Sequence, residues 1–451
     1  MTTAPTPNRR QARRASAAAA VGSLVEWYDF ALYGAAAALV FKTYFFVGTD
    51  PTTALLASFA TFAVGYFARP FGGVVFGHLG DKIGRKPVMV VTLGIMGVST
   101  ALIGLLPGYD SIGIAAPILL VVLRIAQGLG AGAEYAGAII LSAESAPRGH
   151  RGFYASWSGA GVWIGSALGL GSFQVALWLS GDKFLEWGWR IPFLLSLVML
   201  AISMYIRRRV SETQSFEQVK NEDETAKIPL LELFRSDKGR LAVALGSNFM
   251  LSGFSYIPQV WALSYLTNDI GIAAMAALGI NVVVLTMGAV FMPFFGRLGD
   301  RIGRRKLFMF GAGFGVVWAF PMFMLIDTGV TGITVAALVI CFVGAVATCY
   351  AAQAAFLAEL FPPAMRYSGV AFAREVSGAL LGGTAPLIAT AMFSATRHWW
   401  PVATWMVVMA VVAFVSVYLS KRYRSDGDQD SDDRFNHVAA GDAERRHAQA
   451  L

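Results

Sequence analysis

Apolar side chains fill the chain in runs of about twenty residues broken by short polar stretches, over 18–42, 53–78, 87–107, 113–138, 153–179, 189–206, 240–267, 274–296, 306–326, 331–355, 367–393 and 399–420. As an α-helix rising 1.5 Å per residue, such a run crosses the ~30 Å hydrocarbon core of a bilayer. No alternating apolar–polar stretch of comparable length competes. The pattern therefore predicts an all-α membrane protein of about twelve transmembrane helices. Two longer polar stretches divide it. Residues 207–239 form a charged linker near the midpoint, and the tail after Arg424 is acidic and almost without aromatics, the composition of a disordered segment. The expected organisation is a tail at 1–17, a six-helix bundle at 18–206, the linker at 207–239, a second six-helix bundle at 240–424 and a disordered tail at 425–451.

The two halves repeat. GHLGDKIGRK at 77–86 returns as GRLGDRIGRRK at 296–306, and Glu144-x-x-Pro147-x-x-x-Arg151 returns as Glu359-x-x-Pro362-x-x-x-Arg366. Two signatures recurring at nearly one offset, each in the matching interhelical loop, imply a parallel repeat of six helices.

Composition agrees with the pattern. Hydrophobic residues make up 56% and charged residues 14% of the 451, against roughly 25% charged in soluble domains, and the mean hydropathy is +0.57. That excludes a cytosolic enzyme, a disordered regulator and a disulfide scaffold. The net charge of +8 suggests at first a nucleic-acid partner. However, 29 of the 36 Lys and Arg residues fall on the side that carries both termini, and Lys42, Lys183, Arg190 and Arg397 on the other. This asymmetry is a topology signal that places both termini in the cytoplasm, with no nucleic acid involved. The first segment carries Glu26 and Asp29, so it reads as an uncleaved insertion signal rather than a signal peptide. The cysteines, Cys341 and Cys349, lie about 12 Å apart along one helix, beyond disulfide reach.

Seven ionisable residues fall inside spans: Glu26, Asp29, Arg69, Arg124, Glu134, Arg374 and Glu375. Facing lipid, each would cost several kcal/mol, so they should line a cavity or pair within the bundle. Four acids against three bases leave one acid over. The proton affinity of a buried carboxylate depends on whether a cation stands beside it, so an arginine that moves can load or unload it. Depth along the helices puts Asp29 about 13 Å in from one face and Arg124 about 16 Å in from the other, so both lie near the midplane. Asp29 is the expected proton carrier and Arg124 its partner, with Arg69, Glu26 and Glu134 balancing one another. The competing reading is a static ion pair that fixes packing.

Asn248, Ser252, Tyr256 and Gln259 recur on one face of the seventh segment. Tyr28 and Tyr33 in the first, Gln127 in the fourth, Trp163 in the fifth and Tyr350 and Gln353 in the tenth add hydroxyl, amide and aromatic surface. Each suits a substrate contact or an interhelical hydrogen bond equally well. Arg374, a mid-span cation in the second half, suits a carboxylate substrate, with Glu375 neutralising it. Gly161, Gly165 and Gly169 form a small-residue ridge for close helix packing.

The decapeptide repeat resembles the loop 2–3 and loop 8–9 signature of the major facilitator superfamily. Gly22-Ser23-Leu24-Val25-Glu26-Trp27-Tyr28-Asp29-Phe30, Arg69-Pro70-Phe71-Gly72-Gly73, Arg124-x-x-Gln127-Gly128 running to Glu134, and Trp187-Gly188-Trp189-Arg190-Ile191-Pro192-Phe193 are similar to its metabolite:proton symporter family, as is Arg209-x-x-Glu212-Thr213-x-x-Phe216. The resemblance spans about residues 20 to 422. It implies a carrier that alternates between two open states, with Gly77, Asp81, Arg85, Glu144, Arg151, Asp300, Arg304, Glu359 and Arg366 as the latch on the cytoplasmic face. It also implies a bacterial inner-membrane protein that works as a monomer and takes no cofactor.

Other classes lack their chemistry. An ATP-driven pump needs a phosphate-cradling loop, and no Gly-Lys dipeptide occurs. The five histidines sit in loops or tails without metal-like spacing, which argues against an enzyme. Opposite charges at mid-depth suit alternating access better than a channel. The expected function is proton-coupled import of a small organic acid, shikimate-like or a di- or tricarboxylate. The alternative is a proline or betaine osmolyte carrier, for which Trp157, Trp163, Tyr256 and Trp261 would supply a cation-binding cage.

Overall fold

The computed structural model describes residues 9–83, 85–132, 150–209, 237–361 and 363–423. Among these, twelve apolar segments run through the molecule: α1 (Ala19–Tyr44), α2 (Pro51–Phe76), α3 (Val90–Leu105), α4 (Ala115–Ala131), α5 (Arg151–Phe184), α6 (Arg190–Tyr205), α7 (Lys238–Asn268), α8 (Ala274–Ile302), α9 (Arg304–Ile326), α10 (Thr331–Leu360), α11 (Ser368–Thr396) and α12 (Trp400–Tyr423). Nine of them are long and apolar enough to cross a bilayer, the shorter α3, α4 and α6 fall at the other three expected spans, and the described residues contain no strand. Side-chain caps fix two helix starts. Asp50 accepts the backbone N–H of Thr52 and of Thr53, each at 3.1 Å, ahead of α2, and hydrogen bonds from Thr53 hold its carboxyl below the usual range. Asp237 accepts from Arg240 N ahead of α7.

Large apolar side chains such as Phe71, Val74, Trp178, Phe310 and Val317 stay exposed around the outside. That inverts a soluble protein and suits a lipid solvent. The core carries the polar groups instead. Within the first half α1 packs on α5, α2 on α4, and α3 on α4 and α6; within the second, α9 packs on α10 and α12, and α7 on α11 and α12. The halves meet through α5 against α8 and α2 against α11, with α1 touching α7.

The glycine ridge of α5 lies on the backbone of α1. A Cβ at Gly161 or Gly165 would stand 2.2 or 2.1 Å from the carbonyl oxygen of Ala20 or Leu24, so any side chain there would force the helices apart.

Among the described residues, five π-helical segments interrupt the helices: Ala37–Phe41 in α1, Phe249–Phe254 and Ile257–Trp261 in α7, Phe342–Ala347 in α10 and Gly378–Gly382 in α11. Two of these lie in α7, so the register shifts twice across the stripe of Asn248, Ser252, Tyr256 and Gln259.

Candidate functional site

Asp29 is 2% exposed at the centre of the first half. Its Oδ2 accepts the Thr100 hydroxyl at 2.8 Å, while its Oδ1 has no hydrogen-bond partner among the described residues. The expected direct contact with Arg124 is absent. A relay takes its place: Gln127 Nε2 donates to Thr100 Oγ1 at 2.8 Å, and Arg124 Nη1 donates to Gln127 Oε1. Gln127 sits one turn from Arg124 on α4, so its amide spans guanidinium and hydroxyl. The fully buried guanidinium of Arg124 lies over the rings of Tyr33 (4.0 Å), Phe30 (4.7 Å) and Phe62 (5.2 Å). The ring faces offset part of its desolvation. Tyr33 itself donates to Thr61 Oγ1 at 2.7 Å.

Arg69 ties the halves together. Its Nη1 lies 2.9 Å from Glu26 Oε1 on α1, and its Nε lies 2.9 Å from Glu375 Oε2 on α11. This corrects the expected pairing of Glu375 with Arg374: docking α2 against α11 delivers the Glu375 carboxylate to the other half. Arg374 Nη2 instead donates to Tyr350 OH at 2.9 Å. Close by, Tyr66 and Tyr256 share a 2.6 Å hydrogen bond between the halves. Trp163 meets Tyr350 edge-on at 4.9 Å, and Gln353 Nε2 donates to Asn248 Oδ1 at 2.8 Å. Tyr33, Gln127, Asn248, Tyr256, Tyr350 and Gln353 thus all have side-chain partners within the protein.

On the basic face Asp300 of α8 accepts two backbone N–H groups at the start of α5, Gly152 (2.7 Å) and Phe153 (2.9 Å). It also meets Arg304 at 3.1 Å. Arg304 reaches on to Glu359 of α10. A carboxylate on the positive end of a helix is favourable, and this one reaches it across the interface between the halves. Arg151 at that helix start is exposed. Glu134 and Glu144 lie outside the described residues, as do the side chains of Gly77, Asp81, Arg85 and Arg366. On the opposite face Lys42 donates to Asn268 at 2.6 Å, again between the halves. There partial burial holds the Asp269 carboxyl above its usual range, drawn back by Arg397 and Lys42. On both faces, polar contacts thus bridge the two halves.

Asp300→Asn keeps the shape of the latch but removes its charge. The closed basic face should weaken by about 1.5–3 kcal/mol, the range for a hydrogen bond to a charged group. A Ser156→Cys reporter in α5 should then react faster with a membrane-impermeant maleimide added from that face. Unchanged labelling would remove the latch assignment.

Sequence reasoning missed Thr100, Tyr66 and the role of Glu375. A threonine in an apolar run carries no signal of its own. Tyr66 had one, since a tyrosine at mid-span needs a partner for its hydroxyl. The arrangement combines a buried carboxylate linked to a cation through a hydrogen-bond chain with charged ties between two halves.

The family model described as Major Facilitator Superfamily matches residues 19–386 and 260–441. The chain is 36% identical to the shikimate transporter of Escherichia coli K12 over 416 residues, covering 91% of this chain and 95% of that one. It is 35% identical to the proline/betaine transporter of the same organism over 421 residues, covering 90% and 82%. Among solved structures, a proton:xylose symporter bound to 6-bromo-6-deoxy-D-glucose superposes with a TM-score of 0.71 at 17% identity, over 92% of this chain and 96% of that one. At that identity the likeness is one of fold alone.

Proposed function

The chain belongs to the major facilitator superfamily, and from that premise we propose that it is a proton-coupled symporter importing a small organic acid by alternating access. Membership makes it a multi-pass membrane transporter and not an enzyme. The proton coupling rests on one observation, the relay that joins Asp29 to Arg124 through Thr100 and Gln127 with one carboxylate oxygen left unpaired. In this reading Asp29 carries the proton. Movement of Arg124 toward a substrate carboxylate breaks the chain at Gln127 and changes the proton affinity of Asp29 without direct contact. Glu26 sets the local charge through Arg69, and Glu134 belongs to the same proposed group. On the other side of the site Arg374, held by Tyr350, is the proposed second anchor for a carboxylate, with Trp163 of the first half packed edge-on against Tyr350.

The basic face is the proposed cytoplasmic side, in a bacterial inner membrane and with the protein acting as a monomer, because twenty-nine of 36 cationic side chains gather there. The osmolyte reading keeps one support, the proline/betaine relative. Its expected cage has less, because the four aromatics stand in separate clusters: Trp157 with Phe153, Trp163 with Phe342 and Tyr350, Tyr256 with Tyr66, and Trp261 with Tyr265.

Proteoliposomes with an inward proton gradient test the reading. Shikimate, citrate, 2-oxoglutarate, protocatechuate and glycine betaine are offered in turn. At least one acid should accumulate above its outside concentration, and a protonophore should collapse the accumulation. Accumulation that ignores the gradient would refute coupling, and accumulation of betaine alone would favour the osmolyte carrier.

A further inference from the structure

Two tyrosines from opposite halves meet hydroxyl to hydroxyl in the centre of the molecule, and neither belongs to the proton relay or to the proposed carboxylate anchors. Tyr66 of α2 and Tyr256 of α7 share one 2.6 Å hydrogen bond and are 3% and 5% exposed. Their rings cross at 90° with centroids 5.6 Å apart. Both lie against α11 beside its π segment: a Cβ at Gly383 would stand 2.6 Å from Tyr66 Cβ, and one at Gly382 would stand 3.4 Å from the Tyr256 ring. The pair thus sits where three helices from both halves converge, and two of them, α7 and α11, carry π segments.

A phenol has one O–H to donate and accepts through its oxygen. Within the pair one hydroxyl donates and the other accepts, so the second proton is left without an acceptor among the described residues. The surroundings are cationic. The Tyr66 ring lies 5.8 Å from the Arg69 guanidinium and 6.0 Å from that of Arg124. Arg69 is matched by Glu26 and Glu375. Arg124 hydrogen-bonds only to neutral groups among the described residues, the Gln127 amide and the Phe62 carbonyl. An idle donor beside a cation with no carboxylate in contact suits an anionic acceptor. A carboxylate between two phenols accepts from both, and each such bond is roughly twice as strong as the neutral one it replaces.

We propose that the Tyr66–Tyr256 pair is a clasp that the substrate displaces: the solute's carboxylate enters between the phenols, takes a hydrogen bond from each, and turns a direct link between the halves into one that runs through the substrate. The inference rests on the organic-acid reading above and names two side chains that touch the acid. Arg124 supplies the attraction and the phenols the geometry. Binding must break the phenol–phenol bond, so the two hydroxyls contribute unequally according to the order in which they are removed. The first Tyr→Phe change removes one substrate bond and also the clasp that binding had to break, and the two effects partly cancel. The second removes a substrate bond with nothing to offset it.

Purified full-length protein in detergent is titrated with shikimate, citrate, 2-oxoglutarate, protocatechuate and glycine betaine. The affinity of each probe that binds is then followed through Tyr66→Phe, Tyr256→Phe and the double variant. Either single change should weaken binding about fivefold and the second about a further thirtyfold, as expected when a neutral hydrogen bond is worth about half a charged one. Equal steps would mean two independent contacts and no clasp, and a second change without effect would mean a static hydrogen bond between the halves. Either outcome overturns the proposal, as do variants that bind like wild type. Wild type alone gives a second measurement that stands if a variant fails to fold. Adding the bound probe should shift tyrosine C–O bands in the infrared difference spectrum, and an unshifted spectrum would overturn the clasp. The clasp and the organic-acid reading fail separately. If glycine betaine alone binds, with the unequal steps, the organic-acid reading falls and the clasp stands, because the betaine carboxylate makes the same bonds. If an acid accumulates with the proton gradient yet binds the variants like wild type, the clasp falls and the transport reading stands.

Discussion

Asp29→Asn should abolish uphill accumulation, by about 100-fold or more, while substrate exchange across the membrane persists. Asparagine has the shape of aspartate and can accept the Thr100 hydroxyl as Asp29 Oδ2 does at 2.8 Å. Packing and the relay toward Gln127 therefore survive. What disappears is the ability to take up and release a proton, which is the only property that proton-driven transport requires of this side chain. Removing a group whose role exists only in the coupled cycle removes the coupled cycle, as loss of a reacting group in an enzyme costs its rate by orders of magnitude rather than a fraction. Counterflow of labelled against unlabelled substrate needs no net proton movement and should remain within a few-fold of wild type. Full accumulation in Asp29→Asn would assign the proton elsewhere, with Glu26 next in line. Thr100→Val offers a finer reading. It cuts the relay but leaves the carboxylate, so coupling should shift in its pH profile rather than vanish.

Arg69→Met should cause the largest loss of stability of any single change in the centre. The guanidinium is 3% exposed and meets Glu26 and Glu375 at 2.9 Å each. Without it the buried Glu26 carboxylate and the partly buried Glu375 carboxylate both lose the guanidinium that meets them. Removing one partner of a buried ion pair typically costs about 3–5 kcal/mol, because the remaining charge stays desolvated. Thermal unfolding in detergent should fall accordingly and recover in part at low pH, where the orphaned acids are neutral. Glu375→Gln is the controlled comparison. Arg69 keeps Glu26, so stability should change little, but the tie between α2 and α11 weakens and the resting population should shift toward an open face. Distance measurements by spin labels on α2 and α11 would show it. Full stability of Arg69→Met at neutral pH would mean that water reaches these carboxylates.

The fold was legible because hydrophobic length is a local property: twenty apolar residues declare a span wherever they occur. The central ionisable residues were legible for the same reason, since a charge inside such a run stands out against its neighbours. What could not be read is which charge meets which. Arg69 and Glu375 are 306 residues apart, and nothing near either one encodes the docking of α2 on α11. Arg374 was assigned its neighbour in sequence, and a helix turns adjacent residues about 100° apart. Thr100 was invisible because its importance lies in a geometry set by α1, α3 and α4 together. The pitch of α7 was equally unreadable, since no local signal in its sequence announces the two π segments.

Those pitch changes bear on how the molecule moves. A continuous α-helix behaves as a stiff rod, because bending it stretches hydrogen bonds on one side along its whole length. Where the ladder has already slipped, as over Phe249–Phe254 and Ile257–Trp261, the rod is pre-jointed and can flex locally with little further loss of bonding. Similar joints sit in α1, α10 and α11, and none lies in the described parts of α5 or α8. The protein thus pairs helices free of π segments along its long interhalf seam, α8 carrying Pro293 in its interior, with articulated helices around its charged centre. In the proposed alternating-access cycle, these joints are where the helices around the centre would bend as a face opens.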